Sequence, residues 1–205
     1  MKTINIINIG RLLSILGAIG LLIWWFLMPV LLPVTDAAEN FKNLILNANW
    51  IALNILGLVS VLLLTLGFPV FYLASYDKFN KLGFYSLLIS LTGLILFTCI
   101  QYYETFIWPA AAHINPELVQ LEGALVSGDN AVKIVLLISG IFLGLGYILF
   151  GASALKTKKF SKTPLWFLII GAPLFGNGIV FLIRTLGIVL FCVGTFWLAK
   201  DIRKG

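Results

Sequence analysis

Few residues in this 205-residue chain have side chains suited to chemistry, and most of those few fall at a similar depth. Gln101, Glu104 and Trp108 are three and four residues apart, so on a helix they share one face. Asn49 and Asn54 lie at matching depth on the preceding apolar segment, Asn177 and Arg184 at matching depth on the last two, and His113 follows soon after Pro109. A carboxylate and a guanidinium inside apolar segments are costly unless paired, so Glu104 and Arg184 form the expected pair. Together with Gln101, Trp108, Asn54 and His113 they could line a pocket for a polar or cationic head group. The same residues would also serve as a structural ion pair, or as side chains reaching to the interface. His113 taken alone is a solvated loop residue.

Other chemistries lack their parts. One histidine supplies neither the paired axial ligands of a membrane haem nor a histidine-rich metal site. Cys99 and Cys192 stand far apart and outside any CxxC, which argues against redox exchange and for small apolar core residues. There is no lysine in mid-segment, no HExxH, no GxSxG with a histidine partner and no Walker A loop. Glu104 is the one acidic candidate for an ion-driven carrier. The expectation is a protein without catalytic residues, metal or cofactor.

The elements that must position these residues are transmembrane. Hydrophobic residues make up 60% of the chain and charged ones 11%, and the mean hydropathy is +1.05. Soluble chains run at roughly 45–50% apolar and 25% charged, so a water-soluble fold is excluded. Apolar segments cover residues 12–32, 50–74, 84–108, 134–155, 164–178 and 180–199 of one polytopic domain, residues 1–205. The last two share only 36 residues, 164–199, and need a tight turn, either near Arg184 or, as glycine favours, at Gly176-Asn177-Gly178. The first segment reads as an uncleaved helix, because its apolar core is longer than that of a signal peptide. With both termini cytoplasmic, eleven Lys and Arg residues fall inside and three outside, the bias of a plasma-membrane protein in that orientation. No basic soluble module suited to nucleic acid is present.

Finer features follow from spacing. Trp50 and Trp108 fall at outer boundaries and Trp166 and Trp197 at inner ones, as interfacial belts do, whereas Trp24 and Trp25 sit deeper and read as packing residues. Asp36 and Glu39 open an outer helix running to about Asn47. Asn115-Pro116-Glu117, followed by Leu118, Leu121 and Leu125, predicts a short amphipathic helix over residues 116–127, between the third and fourth spans. Lys78-Phe79-Asn80-Lys81 and Lys159-Phe160-Ser161-Lys162 are similar turns, which suggest a parallel repeat of two hairpins. Gly140, Gly144 and Gly151, and Gly187 with Gly194, mark close helix contacts, chiefly within the chain.

Gly144-Leu145-Gly146-Tyr147, the basic turn at residues 156–162 with Pro164-Leu165-Trp166, and the closing Gly194-Thr195-Phe196-Trp197-Leu198-Ala199 resemble small uncharacterised bacterial membrane proteins. In these, a six- or seven-helix domain of unknown function ends in such a hairpin. The resemblance covers roughly the last 70 residues. It implies a prokaryotic plasma membrane and carries no catalytic residues. The sequence therefore predicts an all-α bundle of six transmembrane helices. The leading functional expectation is a non-enzymatic protein that binds a lipid-like ligand or assists a membrane partner. A small transporter or channel subunit, as a homo-oligomer, comes second, and an intramembrane enzyme third.

Overall fold

The computed structural model describes residues 2–32, 37–177 and 181–202, and all regular structure among them is helical. Nine α-helices occur among the described residues: α1 (Lys2–Leu31), α2 (Ala37–Ile45), α3 (Asn49–Gly67), α4 (Pro69–Leu73), α5 (Lys81–Tyr102), α6 (Trp108–Ile114), α7 (Asn130–Thr157), α8 (Lys162–Asn177) and α9 (Phe181–Asp201). Five stretches are long and apolar enough to cross a membrane: Ile6–Leu31, Asn49–Leu73, Lys81–Ile114, Asn130–Thr157 and Phe181–Asp201. Pro69 does not break the second, because Phe68 keeps helical angles and its N–H still reaches Leu64 O at 2.8 Å. The remaining expected segment is α8. Its 16 residues rise about 24 Å, less than a hydrocarbon core of roughly 30 Å. α8 ends at Asn177 and α9 opens at Phe181, so Arg184 lies inside α9 rather than in the turn. Gly178 lies outside the described residues.

Helix packing follows a closed circuit. α1 lies between α3 and α9, α9 packs on α8, α8 on α7, α7 on α5, and α5 returns to α3. Neighbours run antiparallel, as paired contacts show: Gly93 faces Leu143 while Gly146 faces Ser90, and Gly171 faces Phe191 while Gly187 faces Phe175. A Cβ on Gly146 would lie 2.5 Å from Ser90 N, and one on Gly93 2.5 Å from Leu143 N. Only glycine allows α5 and α7 to approach this closely, and close backbone packing is a main source of helix association in lipid. The backbone of Gly140 faces Gly176, and Gly151 faces Ile169 and Leu165, so these small residues serve the α7–α8 contact.

Aromatic side chains fill the middle of the circuit. Phe68 lies 4.7 Å from Tyr147 and 4.9 Å from Phe150, Tyr147 lies 5.0 Å from Phe191, and Phe97 lies 4.9 Å from Phe175. All six are buried; five come from α5, α7, α8 and α9, and Phe68 from the junction of α3 and α4. Phe79 extends the group toward the lysine-bearing end, stacked on Tyr72 at 5.0 Å. The two similar basic turns at that end are closed differently. Asn80 caps α5 by accepting the Gly83 N–H, whereas Ser161 donates its own N–H to Asp201 Oδ2 at 3.0 Å. α7 stops at Lys158, whose φ of 54° and ψ of 14° are left-handed, a conformation that favours glycine.

At the opposite end, residues 116–127 do not form the continuous amphipathic helix that their spacing predicts. A 3-10 turn, Pro116–Val119, and a π-type turn, Ala124–Gly128, are separated by extended Gln120 and Gly123, with ψ of 161° and 154°. The Asn115 cap forms as expected, accepting from Glu117 N–H at 3.1 Å. The break is held by hydrogen bonds outside a helical ladder: the Gly123 N–H closes on Gln120 O at 2.7 Å and Ser127 Oγ donates to Leu121 O, while Val119 and Val126 enter the core. Gly123 folds back against the Leu118 and Glu117 carbonyls, where a side chain would collide. The helix expected to begin at Asp36 appears as α2, while Asp36 and the Glu39 side chain lie outside the described residues.

Candidate functional site

The site begins with a fault in helix register. After α5 the chain makes a π-helical turn, Tyr103–Ile107, in which the Trp108 N–H bonds Tyr103 O, five residues back. The next residue, Pro109, has no N–H to give. Glu104 O is therefore left without a helical donor, and the Trp50 indole fills the place at 3.0 Å. A buried carbonyl without a partner costs on the order of 1–3 kcal/mol, so this bond ties α3 firmly to the turn. Turns of this kind recur at functional sites in long helices.

Side chains converge around it. Gln101 is buried and donates from Nε2 to Glu104 Oε2 at 3.1 Å. Its Oε1 has no hydrogen-bond partner among the described residues. It lies over Gly57, where a Cβ would come within 2.8 Å of both Gln101 Oε1 and Trp24 Nε1. Trp24 Nε1 donates to Asn54 Oδ1 at 3.4 Å, and Asn54 Nδ2 donates to Trp50 O at 2.9 Å. Asn54, Gln101 and Glu104 thus belong to one network with Trp24 and Trp50.

Trp108 adjoins this network through its ring, stacked 6.1 Å from Trp50 and meeting Phe41 edge-on at 5.5 Å. Its Nε1 and the Tyr103 hydroxyl both donate to Leu125 O at 3.0 Å. Two donors occupy both lone pairs of that carbonyl and fasten the turn Ala124–Gly128 over the bundle. This corrects the belt reading of Trp50 and Trp108: both are buried, and both indoles are bonded within the protein. Trp166 and Trp197 are 51% and 40% exposed.

Arg184 stands apart from Glu104. Its guanidinium lies over Trp25 at 5.4 Å and Phe175 at 6.0 Å, in cation–π geometry. Trp25 is held there by donating to Thr185 Oγ1 at 2.9 Å and by stacking on Phe181. Arg184 Nε is buried without a hydrogen-bond partner among the described residues. No ion pair joins Arg184 to Glu104 among the described residues. The aromatic faces hold the cation on the α1–α8–α9 side, and Gln101 holds the carboxylate on the α3–α5 side. His113 is exposed in the last turn of α6, and Asn49 is exposed, donating to Leu31 O at 3.4 Å. Neither joins the cluster, and the Asn177 side chain lies outside the described residues.

Beside the π turn is a lateral groove of about 360 Å³, lined by Ile100, Tyr103, Glu104, Trp108, Leu125 and Val135 among others. Its far wall is the opening of α7, where residues 134–138 are all exposed. The Tyr103 hydroxyl and the Trp108 indole are already bonded to Leu125 O, and the surface that the lining exposes is almost wholly apolar. Among the described residues, no three of His, Cys, Asp and Glu come together as metal ligands.

The sequence reading missed Trp50, Tyr103 and the Leu125 carbonyl as parts of this site. One signal was present: Pro109 withdraws the α-helical donor from the carbonyl four residues back, at Thr105, which marks a fault in the helical ladder just after Glu104. Composition and five apolar helices are those of a membrane-embedded helical bundle. No protein-family model, no curated protein and no solved structure matches the chain.

Proposed function

We propose that this is a non-enzymatic multi-pass plasma-membrane protein that holds a lipid-like ligand at the Glu104 end of the bundle. The observation that carries the reading is the groove between α5 and α7, apolar along its length. Its volume is within the range of small-ligand sites, and in a bilayer it opens toward acyl chains. The concentration of Lys78, Lys81, Lys156, Lys158, Lys159 and Lys162 in the turns at the opposite end supports cytoplasmic termini and an outer-leaflet groove. In that orientation α8 is the sixth span. Aromatic filling of the centre favours holding a ligand over conducting a solute.

Native mass spectrometry of protein extracted gently in its own lipids tests the proposal. The expected result is a discrete bound mass of lipid size, lost when Val135→Trp fills the groove. A homo-oligomer or a co-purifying protein, with no small mass bound, overturns it.

A further inference from the structure

We propose that the cavity where α5 begins, at the lysine-bearing end, holds the phosphate-bearing head group of an anionic phospholipid. The site is separate from the groove beside the π turn and stands whether or not that groove holds a ligand. It measures about 350 Å³, is lined by Tyr72, Phe79, Asn80, Lys81, Phe84 and Tyr85, and exposes polar and apolar surface in comparable amounts. Packing fixes its aromatic wall. The Phe79 ring stacks on Tyr72 at 5.0 Å, meets Phe150 at 5.5 Å and closes over Gly83, where a Cβ would collide with it. Asn80 is fixed by hydrogen bonds: its Oδ1 accepts from the Gly83 N–H at 3.2 Å and from the Ser153 hydroxyl at 3.5 Å. With that acceptor taken, the amide has only its Nδ2 donors left to offer. The Lys81 ammonium and the Tyr72 and Tyr85 hydroxyls make no hydrogen bond among the described residues. The lining thus presents donors and a positive charge but no carboxylate, which suits a phosphate and not an ammonium. Asp77 does not line the cavity, and Asp201 accepts the Ser161 N–H at 3.0 Å on another turn. The Ser153 bond brings the last turns of α7, which carry Lys156, alongside Asn80. Phe84 and Leu88, one turn apart on α5 and both exposed, would carry the acyl chains below such a head. An anionic leaflet attracts any basic turn; what marks this one is a shaped cavity with Lys81 in its lining.

The test uses the intact protein in nanodiscs containing phosphatidylglycerol and phosphatidylcholine with matched acyl chains. Lipids retained after mild extraction are counted by native mass spectrometry. Phosphatidylglycerol should be retained roughly fivefold over phosphatidylcholine, the factor expected of one lysine at the membrane surface. Lys81→Gln should bring the two toward parity, and Lys81→Arg should keep the preference, since a guanidinium also binds phosphate. Lys200→Gln removes the same charge from α9, where the ammonium lies 4.6 Å from the Phe196 ring centroid, and should leave the preference intact. Both positions are exposed, so folded protein is compared throughout. Equal losses from Lys81→Gln and Lys200→Gln overturn the site in favour of a diffuse attraction. Equal retention of the two lipids by the unaltered protein, or a preference for phosphatidylcholine, also overturns it. Excess inorganic phosphate should not release the lipid; release that depends on Lys81 makes free phosphate the occupant and overturns the lipid assignment.

Discussion

From Phe97 and Phe175 toward the lysine-bearing end, the interior is a continuous group of rings; from Gln101 outward it is a network of amides, a carboxylate and indoles. The rings of Phe68, Tyr147, Phe150 and Phe191 have no directional partner to find, and they are held by contact area and shape. In the polar region these donors have named acceptors: Trp24 donates to Asn54, Asn54 to Trp50 O, Trp50 to Glu104 O, and Gln101 to Glu104 Oε2. Lipid offers no water to replace a missing bond, so this second region depends on atom identity where the first depends on volume. The comparison therefore predicts two different responses to mutation.

The largest effect is expected at the seam that brings the rings together. Gly146→Val places a side chain against Ser90 N and should destabilise the bundle by about 3 kcal/mol or more, because backbone cannot yield as a side-chain tip does. Melting in detergent, with size-exclusion chromatography, would show early unfolding or aggregation. Phe150→Ala removes a ring from the centre of the group and should cost about 3 kcal/mol, near the low end for buried aromatic truncations. Phe150→Leu should recover much of that loss in the same assay, since volume is what matters there.

In the polar region, small changes of atom should matter at nearly constant volume. Trp50→Phe keeps a ring but withdraws the N–H from Glu104 O, with an expected loss of about 1–3 kcal/mol. Pro109→Ala returns a backbone N–H to the π turn, so Trp50→Phe should cost roughly 1 kcal/mol less in that background. A double-mutant cycle in melting temperature checks this, and strict additivity would break the account of the freed carbonyl. The smallest effect is expected for Gln101→Leu, within about 1 kcal/mol. It loses the bond to Glu104 but also removes the unpartnered Oε1. A loss as large as that of Phe150→Ala would place Gln101 among the packing residues.

How far the site was legible depends on whether each feature is local. Gln101 and Glu104 share a face because three residues nearly complete a turn, and their bond at 3.1 Å follows from that spacing. Asn54 was placed at the right depth and does join them through Trp24 and Trp50. Arg184 was placed at the right depth as well, but depth does not say which way a guanidinium turns, and the rings of Trp25 and Phe175 turn it away from Glu104. His113, next to Ala112 and one helical turn after Pro109, ends exposed in the last turn of α6, where depth along the chain says nothing of contact.

Membrane character, the position of each apolar helix, the basic turns at one end and the Asn115 cap were all determined by the sequence alone. Each depends on the length of an apolar run, on charge, or on residues within one turn of each other. Tertiary structure decided the circuit order of the helices, the inward use of Trp50 and Trp108, the break in residues 116–127 and the separation of Glu104 from Arg184. Those outcomes turn on which face of one helix meets which face of another. In lipid, an apolar face is satisfied by a chain or by a neighbour, so hydrophobicity does not choose between them; close fit and hydrogen bonds between helices do.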